Sequence, residues 1–214
     1  MKYIITESQY DILIEGKYDS ITSNVVRDIM DEVIDFIDSD EMEEDIEFPE
    51  YETPKYLGKI NEFVVELYLR KQRRKNYKID ADAPGDLSEN NIRIIIYLPK
   101  EGGKELLNEL YYNLIYTFRH EFEHWLQVIS DYSRVTADEP TNLDSTLFKR
   151  YEIEPQIMGY YLQSKKQKKP CEDDVREHLK KLVKNRQHKF KNKEEMEELI
   201  SLLVSKGRQM KLKI

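Results

Sequence analysis

The chain has 214 residues, 36% of them charged and 39% hydrophobic, with a formal net charge of −8. This length suits one domain, or one domain with appendages, and is ample for burying a core. No apolar run approaches the roughly 18 residues of a membrane span, Glu7 and Asp11 interrupt any signal-peptide core, and the single cysteine, Cys171, allows no disulfide framework, so a cytoplasmic protein with no membrane partner is expected.

Residues 6–16 and 20–38 read as helices, the second with Ile21, Val25, Ile29 and Val33 along one side after Ser20 as a cap. Asp38 to Glu52 holds nine acids and no base, which reads as an exposed acidic loop or linker. Residues 59–71 are β-branched and aromatic enough for a strand, and Tyr77–Ile79 suggests a short one. DADAPGDLSENN is a turn-rich loop, and Ile92–Leu98 (IRIIIYL) is the clearest strand. Pro99 and Gly102-Gly103 separate it from a long helix, from Lys104 to about Ser130. In that helix Leu107, Tyr111, Leu114, Phe118, Phe122, Trp125 and Ile129 recur in steps of three and four, marking one buried face. Helices follow near 172–186 and 193–206.

On the long helix, His120-Glu121-Phe122-Glu123-His124 spells H-E-x-x-H. Two imidazoles four positions apart lie one turn apart on the same face and can share one zinc ion. The intervening glutamate then stands where it can take a proton from metal-bound water. Both histidines point nearly opposite the apolar stripe, in line with Asn113, Thr117 and Gln127. A catalytic zinc needs a third protein ligand. Gln127 and Ser130 occupy the glycine and histidine positions of the longer H-E-x-x-H-x-x-G-x-x-H pattern, which excludes that class. A downstream glutamate remains, either Glu152 or Glu154. The two are separated by about 200° on a helix, so only one can face the metal. Pro155 fits a first helical turn, which predicts a helix starting near Ile153 or Glu154, with Glu152 at or just before its N-terminus. The di-iron carboxylate class needs a second E-x-x-H motif, and the chain has none beyond Glu121-x-x-His124.

The pair HEFEHWLQ and, about 28 residues on, EIEPQIMG resembles the gluzincin metallopeptidases. The resemblance implies zinc (Zn2+) held by His120, His124 and Glu152, with Glu121 as general base for peptide-bond hydrolysis. Gln156 takes the position that supports a ligand histidine. It implies an α+β, zincin-like fold: a small β-sheet packed on the H-E-x-x-H helix, a second ligand helix, then C-terminal helices. Residues 1–52 would be a helical and acidic segment, 53–165 the catalytic core and 166–214 a basic extension. In that family the strand before the metal helix borders the cleft, which places Ile92–Leu98 beside a peptide substrate. Tyr132, Tyr160, Tyr161 and His178 are candidate donors to the oxyanion, although packing is the plainer role for each.

Residues 161–214 carry 16 Lys and Arg against 8 Asp and Glu, leaving a net of −16 for the remainder. A solvated face explains that, and so does a nucleic-acid partner. SprT-like and ImmA/IrrE-type proteins share the first motif, so a regulatory or nucleic-acid-associated zincin is the alternative reading. The acidic 38–52 segment could instead dock on this tail or cover the cleft. With only three alanines and many Lys, Ile, Glu, Tyr and Asn, the composition suits an AT-rich genome, for instance a phage. A virion-associated protein with a vestigial site is the non-enzymatic alternative.

Overall fold

A computed structural model describes residues 7–53, 62–83, 90–101, 104–130, 150–184, 190, 192–210 and 212. The chain is α+β. Helix α1 (Glu7–Asp38) is followed by strands β1 (Glu43–Glu47), β2 (Tyr51–Glu52), β3 (Glu62–Gln72), β4 (Lys78–Asp82) and β5 (Asn91–Pro99). Helices α2 (Leu107–Ser130), α3 (Arg150–Gln167), α4 (Cys171–Lys184) and α5 (Lys193–Gln209) complete it. None of the described helices is long and apolar enough to cross a membrane.

The two helices expected at the N-terminus are one. Gly16 and Ser20 lie inside α1, and Ser20 Oγ donates to the Gly16 carbonyl at 2.9 Å instead of capping a new helix. Val25, Val26, Ile29, Val33 and Phe36 give α1 its buried stripe.

The acidic stretch is also ordered, and differs from the loop expected there. β1 pairs antiparallel with β3, setting Glu43 opposite Arg70 and Ile46 opposite Leu67. Arg70 reaches Asp45 at 2.6 Å and Glu43 at 3.7 Å, so one cation offsets the acids across the ladder. As an outer strand with exposed carboxylates, β1 is a poor template for further pairing.

The sheet runs β1-β3-β5-β4, with β2 also paired to β3. β3 and β5 are parallel and the other pairs antiparallel. Alternation sets one apolar face, with Phe63, Val65, Leu67 and Leu69 from β3 and Ile92, Ile94, Ile96 and Leu98 from β5. Against it pack α1 and the back of α2, where Leu114, Phe118, Phe122 and Trp125 are all buried. Phe63 is the hub of this layer, with its ring centroid 5.1 Å from Phe122 and 5.2 Å from Trp125. Removing such a ring would cost about 3–5 kcal/mol. The result is a helix α2 fixed along its apolar face.

A second apolar cluster joins α3, α4 and α5 through Ile157, Tyr160, Val175, Leu179, Leu199 and Leu203. Asn192 caps α5 by accepting from the Glu195 N–H at 2.8 Å. Five of the basic tail's 16 cations are paired with acids among the described residues. Lys165 pairs with Asp19, Lys169 with Asp174 and Glu177, Arg176 with Glu172 and Glu197, Lys181 with Glu109, and Lys206 with Glu154.

Candidate metal centre

His120 and His124 stand on the face of α2 opposite its buried rings, as the periodicity requires, with side chains 15% and 18% exposed. The atoms that converge are His120 Nε2, His124 Nε2 and Glu152 Oε2. The nitrogens are 3.2 Å apart, and Glu152 Oε2 is 3.3 Å from the first and 3.2 Å from the second. A near-equilateral triangle of this size matches one face of a tetrahedron with metal–ligand bonds of about 2.0–2.1 Å. Hydrogen bonding alone fits it poorly, because each Nε2 carries at most one proton and cannot serve two edges linearly. A cation at the centre satisfies all three atoms. His120, His124 and Glu152 thus form a group that can hold a metal ion, and no other such group occurs among the described residues.

Glu154 does not compete for this place. Its carboxylate turns the other way and meets Lys206 Nζ at 2.5 Å. The helix carrying both residues begins earlier than Pro155 suggested, at Arg150, so Glu152 is within the first turn and Pro155 lies inside α3. A proline there removes one N–H, and its cost is confined to the Tyr151 carbonyl it would have served. Glu152 is therefore presented by a formed helix.

A close helix crossing brings α3 to α2. At Gly159 an added Cβ would sit 2.8 Å from the Tyr116 carbonyl oxygen and 2.8 Å from its ring. Only glycine permits this approach. Gln163 Nε2, one turn on, donates to the Tyr112 carbonyl at 3.1 Å and to Asn113 Oδ1 at 3.3 Å, locking the crossing.

Glu121 lies beside the triangle, with Oε1 3.9 Å from His120 Nε2. Burial pushes its carboxyl above the ordinary range, His120 and His124 pull it down, and Glu152 pushes it up again, leaving it raised. Burial acts on Glu152 in the same direction, but hydrogen bonds from both histidines outweigh it and hold that carboxyl at about 2. Burial depresses His124, while its bond to Glu152 and the Glu152 and Glu121 charges more than restore it, so its proton is held above the ordinary 6.5. The two carboxylates have divergent characters. Glu152 is a committed anion, and Glu121 holds its proton more tightly than an ordinary carboxyl. His120 Nδ1 is buried without a hydrogen bond, whereas Gln127 bonds to His124.

An open groove runs along the site, lined by Ile79, Asp80 and Ala81 of β4 and by Tyr116, Thr117, His120 and Glu121 of α2. The bordering strand is thus β4 and not Ile92–Leu98. β5 is paired on both sides, with β3 and with β4, and has no edge to offer. β4 is the outer strand at this end of the sheet.

The other expected residues fall in different places. Tyr160 is buried against Tyr116, with ring centroids 4.6 Å apart, and packs rather than facing the groove. Tyr161 lies under Lys165. His178 lines a neighbouring pocket, and Gln156 is buried on α3. Tyr132 lies outside the described residues. Sequence reading missed Tyr116, which borders groove and pocket alike. Its position four residues before His120, on the ligand face, was the signal available.

No known protein family matches this chain, and no curated protein or solved structure is similar to it.

Proposed function

We propose that this protein is a zinc-dependent metallopeptidase of gluzincin type, with a zincin-like arrangement of sheet and ligand helices. The observation that carries the reading is the meeting of Glu152 with His120 and His124 at 3.2–3.3 Å beside the raised carboxyl of Glu121. Two imidazoles and one carboxylate are a donor set that catalytic zinc takes, with a coordination position left open. Bound there, zinc supplies Lewis acidity, making a water more acidic and a carbonyl more electrophilic.

The chain's own residues perform the rest. Glu121 accepts the proton of the attacking water and delivers it to the departing amine, a task that suits a carboxyl raised by burial. Glu152 stays ionised throughout. The outer edge of β4 gives an extended peptide a row of backbone groups to pair with, laying it along the groove past Glu121. The rigid aromatic back of α2 holds both histidines in place.

The test is a pair of measurements on the full chain. Purified protein should carry about one zinc, and the zinc-loaded form should hydrolyse an unfolded polypeptide. Glu121→Gln should retain the metal and lose about 10²–10⁴ in rate. A folded protein that binds no metal, or a Glu121→Gln variant as active as its parent, would refute the proposal.

A further inference from the structure

A second and more enclosed pocket opens next to the groove, between β4, α2, α3 and α4. The two share Ile79, Tyr116 and Thr117, so a peptide lying along β4 passes the mouth of this pocket as it passes Glu121. Its walls are rich in charge, and each charge has an opposite partner, with Asp174 and Glu177 sharing Lys169. Lys169 is held by Asp174 and by Glu177 at 3.1 Å, Lys181 by Glu109 at 3.2 Å, and Lys78 by Asp80 at 2.5 Å.

The lining groups outside these ion pairs are neutral. The His178 imidazole stands against Tyr116 and Tyr160 with ring centroids 5.1 and 5.4 Å away, and carries no hydrogen bond among the described residues. Burial, then Lys181 and His120, hold its pKa at about 4, so near neutral pH it offers one N–H and one lone pair. Thr117 and Gln167 add a hydroxyl and an amide. Asn113, fixed by Tyr77 and Gln163, adds an acceptor.

This lining discriminates among side chains. A charged guest would have to compete with ion partners already in place on the walls. An aliphatic guest would cover the imidazole, hydroxyl and amide without replacing their hydrogen bonds to water. A guest that is uncharged and both donates and accepts loses neither way. We propose that this pocket receives the carboxamide side chain of an asparagine or glutamine residue in the peptide substrate, and that His178 and Gln167 select it. This specificity rests on the peptidase reading for its role but is measurable without turnover.

The experiment uses the zinc-loaded full chain carrying Glu121→Gln, so that bound peptide is not consumed. Fluorescently labelled peptides, identical except for Gln, Asn, Leu, Glu or Lys at one scanned position, are titrated by anisotropy. At one position the Gln or Asn peptide should bind at least about tenfold tighter than the Leu, Glu and Lys peptides. His178→Phe and, separately, Gln167→Leu should each reduce that preference to about twofold or less. Gln167 lies in the last turn of α3, so its variant guards against a folding defect in the first. Equal affinities, a preference for Leu or a charged residue, no peptide binding, or a preference that survives both substitutions would overturn the proposal. Carboxamide-selective binding by a protein whose parent form cleaves nothing would instead leave the pocket standing and refute the peptidase.

Discussion

Gly159 offers the sharpest test of how the metal centre is built. In Gly159→Ala the new Cβ meets the Tyr116 carbonyl oxygen at 2.8 Å, whereas ordinary contact begins at 3.4 Å. That oxygen is backbone and cannot swing aside. The Tyr116 ring, at the same 2.8 Å, is packed against Tyr160 and His178. Helices α2 and α3 must therefore part by about 0.6 Å. Overpacking of this kind costs about 1–3 kcal/mol, and alanine returns about 1 kcal/mol through helix propensity, so the metal-free fold should survive with a loss of at most about 2 kcal/mol. Metal binding is less forgiving, because ligand distances are held to about ±0.2 Å. Glu152, two turns away on the same helix, should be carried out of reach, and zinc affinity should fall about 10–100-fold. Competition with a chromophoric chelator measures the affinity. Trp125, the chain's one tryptophan and the neighbour of His124, reports the helix by its fluorescence. Unchanged zinc affinity in a folded Gly159→Ala variant would refute the claim that this crossing positions the ligand.

Glu152→Ala should lower zinc affinity at least about 100-fold, whereas Glu154→Ala should leave it unchanged and cost only the Lys206 pair, about 0–1 kcal/mol by denaturant titration. The pH dependence has two signs. In metal-free protein Glu152 is depressed, so its contribution is present above its ordinary 4.5 and lost as the pH falls toward about 2. His124 is raised, so its contribution is present below 6.5 and lost as the pH rises through its elevated value. The joint contribution of Glu152 and His124 to metal-free stability should thus be greatest between 4.5 and 6.5, while zinc, which needs unprotonated His124, should stabilise increasingly above 6.5. Melting curves with zinc and with chelator from about pH 4 to pH 9 should diverge in that direction; parallel curves would contradict it. Lys168 holds a left-handed φ of 58° just past α3, so Lys168→Gly should be neutral to stabilising by up to about 1 kcal/mol in thermal unfolding.

Local signals carried much of this structure. The H-E-x-x-H spacing and the three-and-four stripe together give a two-faced α2, and Phe118, Phe122 and Trp125 are buried while His120 and His124 look outward. The 200° separation of Glu152 and Glu154 likewise follows from helix geometry, although which of the two faces α2 depends on α3 docking. What was not legible required long-range partners. Glu43–Glu47 reads as a loop until Arg70 lies opposite, and no local rule reveals that cation. Tyr77–Ile79 reads as a short strand and β4 runs Lys78–Asp82, but that it forms the groove wall follows only from β5 leaving that edge to it. The continuity of α1 through Gly16 and Ser20 is a tertiary override of two weak breakers, secured by burial from Tyr18 onward.

Helix α3 carries two residues that helices ordinarily avoid, Pro155 and Gly159, within a single turn of each other. By intrinsic preference they cost up to about 3 and about 1 kcal/mol, so helix propensity alone would place alanine at both. Gly159 has an identifiable compensation, since it admits α2 at a distance no side chain allows. That approach is what sets a carboxylate of α3 3.2–3.3 Å from two imidazoles of α2. Desolvation opposes holding a buried anion against two histidines on Glu152 and His124 alike, and it is their mutual hydrogen bonds and charges that offset it. Local destabilisation accepted at the crossing, together with desolvated polar groups converging there, is the pattern of a binding site whose occupant supplies the missing stabilisation. A cation at the centre of the triangle is the occupant that satisfies all three atoms at once.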